Sequence, residues 1–208
     1  MNALLVHGMG RGPASMWLLR RRLRAHAIGT QLFRYSTFSG FDAVVGRLVR
    51  RVQALPSTEP FILVGHSLGS VLIRAALPSL SPLAPAACFF LAPPCCACQA
   101  ARLFHRHAAF RALTRHMGDR LASPAFMAAL PVPAVPTRIY AGTAGPRGRL
   151  SPFGNEPNDG ILRVSETTLG ALPVVGVPAL HAFIMNSAAV ARDIIQTAQS
   201  LPPSRGDA

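Results

Sequence analysis

The chain predicts a doubly wound α/β fold around a minimal, mostly parallel sheet of about six strands. Three observations carry that expectation. Short apolar runs alternate with stretches of helical periodicity along most of the chain. The run Phe61-Ile62-Leu63-Val64 passes directly into Gly65-His66-Ser67-Leu68-Gly69, so a buried strand turns sharply into a buried helix. The 208 residues, 50% of them hydrophobic, suffice for one domain with a substantial core.

In order, Ala3–Val6 is a first strand ending in His7-Gly8-Met9-Gly10. A loop through Gly12-Pro13 leads to a helix over about Ser15–Ala27, with Met16, Leu18, Leu19 and Leu23 on its apolar side. Gln31–Tyr35 reads as a second strand, and Phe41–Leu55 as a helix carrying Val44, Val45, Leu48, Val49 and Val52. The strand Phe61–Val64 and the helix Ser70–Leu77 come next, then the proline-punctuated link Pro78–Pro85. Ala87–Ala92 is a fourth strand, stopped by Pro93-Pro94. Residues 95–135 break the rhythm. They hold no clear strand but two short helices, near 99–116 and 123–130, and an insertion here is placed to form a cap. Thr137–Gly142 is a fifth strand, Val174–Val177 a short last one, and a helix over about Ser187–Ser200 ends the domain at residue 201. Residues 202–208 read as a disordered tail.

The pentapeptide around Ser67 has the strand-to-helix context that a G-x-S-x-G nucleophile elbow requires. A serine in such a strained turn is crowded on both sides, and glycines at 65 and 69 remove the side chains that would collide. Its hydroxyl is lifted above the sheet edge, over the unpaired N–H groups of a helix start. A serine hydroxyl is a poor nucleophile until an imidazole takes its proton, and the imidazole needs an orienting carboxylate. On such sheets the two follow in the order acid, then histidine. Asp159 sits in a loop after the fifth strand, with Glu156 in reserve; Asp119 lies in the cap and Asp193 inside the last helix, neither at a strand end. Asp159-Gly160 is also an ordinary turn pair. His181 lies between the last strand and the last helix. His105, His107 and His116 read as surface residues of an arginine-rich stretch, and His66 as packing. Two backbone N–H groups complete the set, from Leu68 after the serine and from Met9 in the loop after the first strand.

Composition excludes several classes. The net charge is +13 and every one of the 21 basic residues is arginine. Arg20-Arg21-Arg22-x-Arg24 and Arg50-Arg51 are the compact groups, both in amphipathic helical stretches. With so much Ala and Pro, GC-rich coding and a solvated arginine face account for the bias. No aromatic interleaving or zinc-finger spacing supports nucleic acid as a partner. A weak contact with an anionic membrane surface is the one partner the charge suggests, besides a small-molecule or lipid substrate. No apolar run reaches the ~18 residues of a membrane helix. MNALLVHGMG lacks the charged region and cleavage site of a signal peptide, so a cytoplasmic location is expected. Cys88, Cys95, Cys96 and Cys98 are too clustered for a disulfide framework and read as buried or idle thiols. A zinc site pairing them with His105 and His107 lacks the usual spacing. No metal or organic cofactor is expected.

The stretches HGMGRGPASMW, FRYSTF, FILVGHSLGSVLIRAAL, PNDGILRVSETTL and HAFIMNS stand in order over nearly the whole chain. Together they resemble the α/β-hydrolase lipases and esterases, most closely small bacterial lipase-like proteins and the GPI-inositol-deacylase-like branch. The sheet begins at the strand bearing His7-Gly8, so the first two strands of the full fold are missing, as in minimal lipases. After Pro93-Pro94, where relatives carry a polar stretch, this chain has Cys95-Cys96-Ala97-Cys98. The resemblance implies a triad of Ser67, Asp159 and His181, an oxyanion hole of Met9 and Leu68, and cleavage of carboxylic esters through an acyl-serine. A thioesterase or amidase on the same residues, or a catalytically silent binding or scaffold protein, are the alternatives. In the cap, Phe104, Phe110, Leu113, Phe126, Met127 and Leu130 read equally as a wall facing an acyl chain and as helix faces packed on the sheet.

Overall fold

The structure, a computed structural model, describes residues 1–56, 59–99, 117–149 and 151–201. Six parallel strands form one sheet in the order β2-β1-β3-β4-β5-β6: β1 Asn2–Val6, β2 Gly29–Phe33, β3 Phe61–His66, β4 Ala87–Leu91, β5 Thr137–Gly142 and β6 Val174–Val177. β1, β3 and β4 are buried almost throughout, which is why they read as unbroken apolar runs rather than alternating ones.

The side chains alternate between two cores. Leu4, Val6 and Leu63 point to the face covered by α2 (Phe41–Gln53) and α3 (Leu68–Ala76), where Phe41, Val44, Leu48, Val52 and Leu72 are buried with them. Ala3, Leu5, Ile62 and Val64 point to the other face. There α1 (Trp17–Arg24) contributes Leu19 and Leu23, and α5 (Ala188–Ser200) contributes Val190, Ile194 and Ile195. The order reverses at β1, between β2 and β3, so the sheet has a topological switch point at the carboxyl ends of β1 and β3.

Most element boundaries shift from the expected ones by a residue or more, and two of the shifts have a visible cause. The first helix opens as a 3₁₀ turn, Pro13–Met16, and ends at Arg24, because Ala27 takes a left-handed φ of 58° to turn the chain into β2. β2 spans Gly29–Phe33 rather than 31–35, because its register against β1 runs from Asn2↔Gly29 to Val6↔Phe33 and stops where β1 stops. That leaves Tyr35 beyond the strand.

Within the insertion, residues 117–122 and α4 (Pro124–Ala129) are helical, the latter capped by the Ser123 hydroxyl accepting from Phe126 N at 3.3 Å. Met127 and Leu130 are buried in the α2/α3 core, and Phe126 packs edge-on against Phe41 with centroids 5.1 Å apart. Of the two readings of these side chains, packing on the domain is the one observed. Arg74, buried on α3, donates from Nε to the Pro131 carbonyl at 3.0 Å and from Nη2 to the Leu130 carbonyl at 2.8 Å, tying down the chain after α4. The expected helix near 99–116, with Phe104, Phe110, Leu113, His105, His107 and His116, lies outside the described residues but for Gln99, as do residues 202–208. No helix among the described residues is long and apolar enough to cross a membrane.

Candidate active site

β3 delivers Ser67 to the start of α3 in a conformation that only tight surroundings hold. Its φ of 51° and ψ of −119° are strained for a residue with a side chain, at a cost of order 1–3 kcal/mol. Ser67 N donates to the Leu91 carbonyl at 2.9 Å, and its own carbonyl accepts from Ser70 N at 2.9 Å. A Cβ at Gly65 would lie 2.6 Å from Ser70 N. One at Gly69 would run into the Val6 carbonyl and come within 2.8 Å of the His7 carbonyl oxygen. The two glycines thus let α3 start directly against β3 and against the end of β1.

The loop after β1 closes on the same point. A Cβ at Gly8 would stand 3.2 Å from Ser67 Cβ, so the Gly8-Met9 backbone passes beside the serine. His7 is fully buried, donates from Nδ1 to the Gly8 carbonyl at 2.9 Å and stacks on Tyr35 at 4.1 Å. The Tyr35 hydroxyl donates to the His7 carbonyl at 2.7 Å. Leu68 N opens α3 next to Ser67, where helical N–H groups have no intrahelical acceptor.

His181 begins a 3₁₀ turn, His181–Asn186, after β6, and Asp159 lies in the long loop after β5. Asp159 is buried; its Oδ2 accepts from His181 Nδ1 at 2.7 Å, and its Oδ1 accepts from Ile161 N at 2.9 Å and Leu162 N at 2.6 Å. The backbone repeats the link, since His181 N donates to the Asp159 carbonyl at 2.9 Å. With its proton held on Nδ1, His181 presents Nε2 as an acceptor, 3.0 Å from Ser67 Oγ. Residues 67, 159 and 181, distant in sequence, are thus hydrogen-bonded in series. An imidazole placed this way can take the hydroxyl proton, and the buried carboxylate can hold its ring and stabilise the cation that results.

The other acids stand elsewhere. Glu156 pairs with Ser165 Oγ and with Arg163 at 3.6 Å, Asp193 holds Arg138 at 2.5 Å and Tyr140 at 2.7 Å, and Asp119 is exposed on the 117–122 stretch. His66 does more than pack. Its Nε2 lies 3.0 Å from the His181 carbonyl oxygen, which only accepts, so the proton sits on Nε2. Desolvation, then the proximity of His181, holds the His66 pKa well below its ordinary range, and burial lowers that of His7. Sequence patterning had no means to find this contact or that of Tyr35; only the FRYSTF stretch flagged Tyr35.

Cys88 and Cys95 are buried, and desolvation pushes both thiols up to about 12, away from thiolate chemistry. Cys95 Sγ donates to the Thr167 carbonyl at 3.3 Å. Among the described residues no group of three or more His, Cys, Asp or Glu side chains could hold a metal ion.

Several solved structures share this architecture. The mature lipase of Bacillus licheniformis superposes with a TM-score of 0.78 at 14% identity, over 94% of this chain and 91% of its own. A metagenomic carboxyl esterase gives 0.68 at 18% identity, over 96% and 74%. A thioesterase of the prodiginine pathway in Streptomyces coelicolor gives 0.59 at 15% identity, over 96% and 85%. At such identities these likenesses concern the fold. No curated protein matches the chain by sequence. Residues 3–200, which hold all of the sheet but Asn2 and all three hydrogen-bonded side chains, match the alpha/beta hydrolase family. The chain belongs to that family.

Proposed function

We propose that the protein is a serine hydrolase cleaving carboxylic esters, lipase- or esterase-like, through an acyl-serine intermediate. The observation that carries the proposal is the series Ser67 Oγ to His181 Nε2 at 3.0 Å and His181 Nδ1 to Asp159 Oδ2 at 2.7 Å, with Ser67 in the strained turn between β3 and α3. Ser67 Oγ attacks the ester carbonyl while His181 Nε2 takes its proton, and the C–O bond to the alcohol breaks as His181 returns that proton to the leaving oxygen. Water then enters by the reverse route: His181 deprotonates it, it attacks the acyl-serine, and Ser67 recovers its proton as the acid leaves. Asp159 keeps the imidazole in one tautomer. Negative charge on the tetrahedral oxygen falls to the N–H groups of Leu68 and Met9. No step draws on a cofactor.

Fluorophosphonate labelling tests this. The folded protein should be labelled and turn over a short-chain ester, and Ser67→Ala should lose both. Absence of labelling in folded wild-type protein would leave a binding or scaffold protein on a hydrolase fold. Labelling with turnover confined to thioesters or amides would keep the nucleophile and replace the substrate class.

A further inference from the structure

The surface beside His181 is more apolar than the core requires. Phe183 and Trp17 are each 55% exposed, and Leu180 and Ile161 are exposed too. Leu180 precedes His181 and Phe183 follows it, and Leu180 Cδ2 would lie 3.8 Å from a Cβ at Gly160, next to Ile161. The loop before α1 and α1 itself lie against the same His181–Asn186 turn. Arg11 Nη2 donates to the Ala182 carbonyl at 3.3 Å, and Arg22 Nη1 to the Asn186 carbonyl at 2.5 Å, holding α1 against the His181 turn. Along α1, Trp17, Arg21 and Arg24 share the exposed stripe while Leu19 and Leu23 face the core, and Arg21 lies over the Trp17 ring at 5.8 Å.

The stretch that carries Arg11, Trp17 and Arg21 and the stretch that carries Leu180 and Phe183 hold no acidic residue, since the first of the chain is Asp42 and none lies between Glu166 and Asp193. Asp159, two residues before Ile161, is buried against His181. We infer that the rim formed by Trp17, Leu180 and Phe183 with Arg11 and Arg21 docks on an anionic lipid surface. The aromatic and leucine side chains enter the headgroup layer, and the guanidinium groups pair with lipid phosphates. The inference rests on the ester-hydrolase reading of Ser67 for its purpose, because docking there brings His181 to the surface from which a lipid ester would come. A second copy is a poor occupant, since a twofold contact would set the arginines of one rim against those of the other. An acidic protein would satisfy the guanidinium groups without explaining why two large aromatic side chains stand exposed.

Two weak signals are needed for stable surface attachment, so removing either should release the protein. Full-length protein would be floated with phosphatidylcholine vesicles and with vesicles of phosphatidylcholine mixed with phosphatidylglycerol, at low and high salt. Binding should favour the mixed vesicles and weaken with salt. Phe183→Ser and Trp17→Ser should each weaken it roughly tenfold, and Arg21→Glu by a similar roughly tenfold factor. Thermal melting confirms that each variant is folded. The same flotation on Ser67→Ala, which reads no turnover, keeps the two proposals apart: loss of esterase activity with retained flotation supports both. Failure of the wild type to prefer mixed vesicles would overturn docking while leaving Ser67 untouched. So would binding that these substitutions do not change, a wild-type dimer that Phe183→Ser splits, or equal binding to soluble polyglutamate.

Discussion

His66 Nε2 donates to the backbone carbonyl of His181 at 3.0 Å, so the residue before the serine grips the main chain of the residue whose ring hydrogen-bonds that serine. From the other side, His181 N donates to the Asp159 carbonyl at 2.9 Å. The ring of His181 therefore hangs from a peptide fixed at both ends, and its Nε2 is aimed by backbone as well as by the Asp159 carboxylate. His66→Ala should lower kcat by about 10–100-fold with little change in KM, because small misplacements of a reacting group are costly. His66→Gln, which keeps an N–H donor, should recover part of that loss. A lowered melting temperature with unchanged kcat in His66→Ala would reduce His66 to packing.

The choice of acid is open to direct comparison. Asp159→Asn should lower turnover by up to ~10⁴-fold, because an amide selects the wrong imidazole tautomer and does not stabilise the cation. Glu156→Gln should have a small effect, since Glu156 faces Ser165 and Arg163 rather than His181. Kinetics on the two purified variants decide it, and the reverse ranking would move the orienting role to Glu156.

How much of this was legible depends on how local each signal is. The strand Phe61–Val64, the turn at Ser67 and the helix after it are written within a few consecutive residues, and all three are present, the strand running on to His66 and the helix starting at Leu68. Asp159 and His181 were legible through order along the chain, because the βαβ rhythm told which loops reach the carboxyl edge. What failed needed partners far away in sequence. The end of β2 is set by β1, so alternation within 29–35 could not place it. The His66 contact spans 115 residues, and that of Tyr35 with His7 spans 28. Whether Phe126, Met127 and Leu130 face a substrate or the core is a matter of which side α4 lays down. Apolarity alone does not distinguish the two.

Gly69 offers a test of the turn itself. Its missing side chain lets α3 approach the Val6 and His7 carbonyls, which belong to backbone and give way little. Gly69→Ala should cost about 2–4 kcal/mol in a urea melt, at or above the upper end of ordinary overpacking, because a strand end rather than a flexible side chain must move. Any folded fraction should lose turnover too, as the displaced strand carries the Gly8-Met9 loop. An unchanged urea midpoint would mean that α3 can slide, and that the strain at Ser67 is not held by this contact.

Acid stability follows from the two buried histidines. In the unfolded chain His7 and His66 titrate near their ordinary 6.5, whereas in the native protein desolvation lowers both, His66 far more. His181, Arg11 and His7 all face His66 and disfavour a positive charge there. Below pH 6.5 the unfolded state therefore takes up protons that the native state refuses. The stabilisation from keeping these rings neutral is complete above that pH and falls as the pH drops beneath it, by at most ~1.4 kcal/mol per pH unit for each ring. Urea midpoints measured from about pH 7.5 down to 5.5 should decline, the slope steepening below the histidine range. His66→Gln cannot charge, so its midpoints should decline less steeply over the same window, leaving the part contributed by His7. A slope identical to that of the wild type would mean that His66 is protonated in the native protein. Its Nε2 would still reach the His181 carbonyl, but Nδ1 would then carry a proton that the Gly8 side of the site has to accommodate.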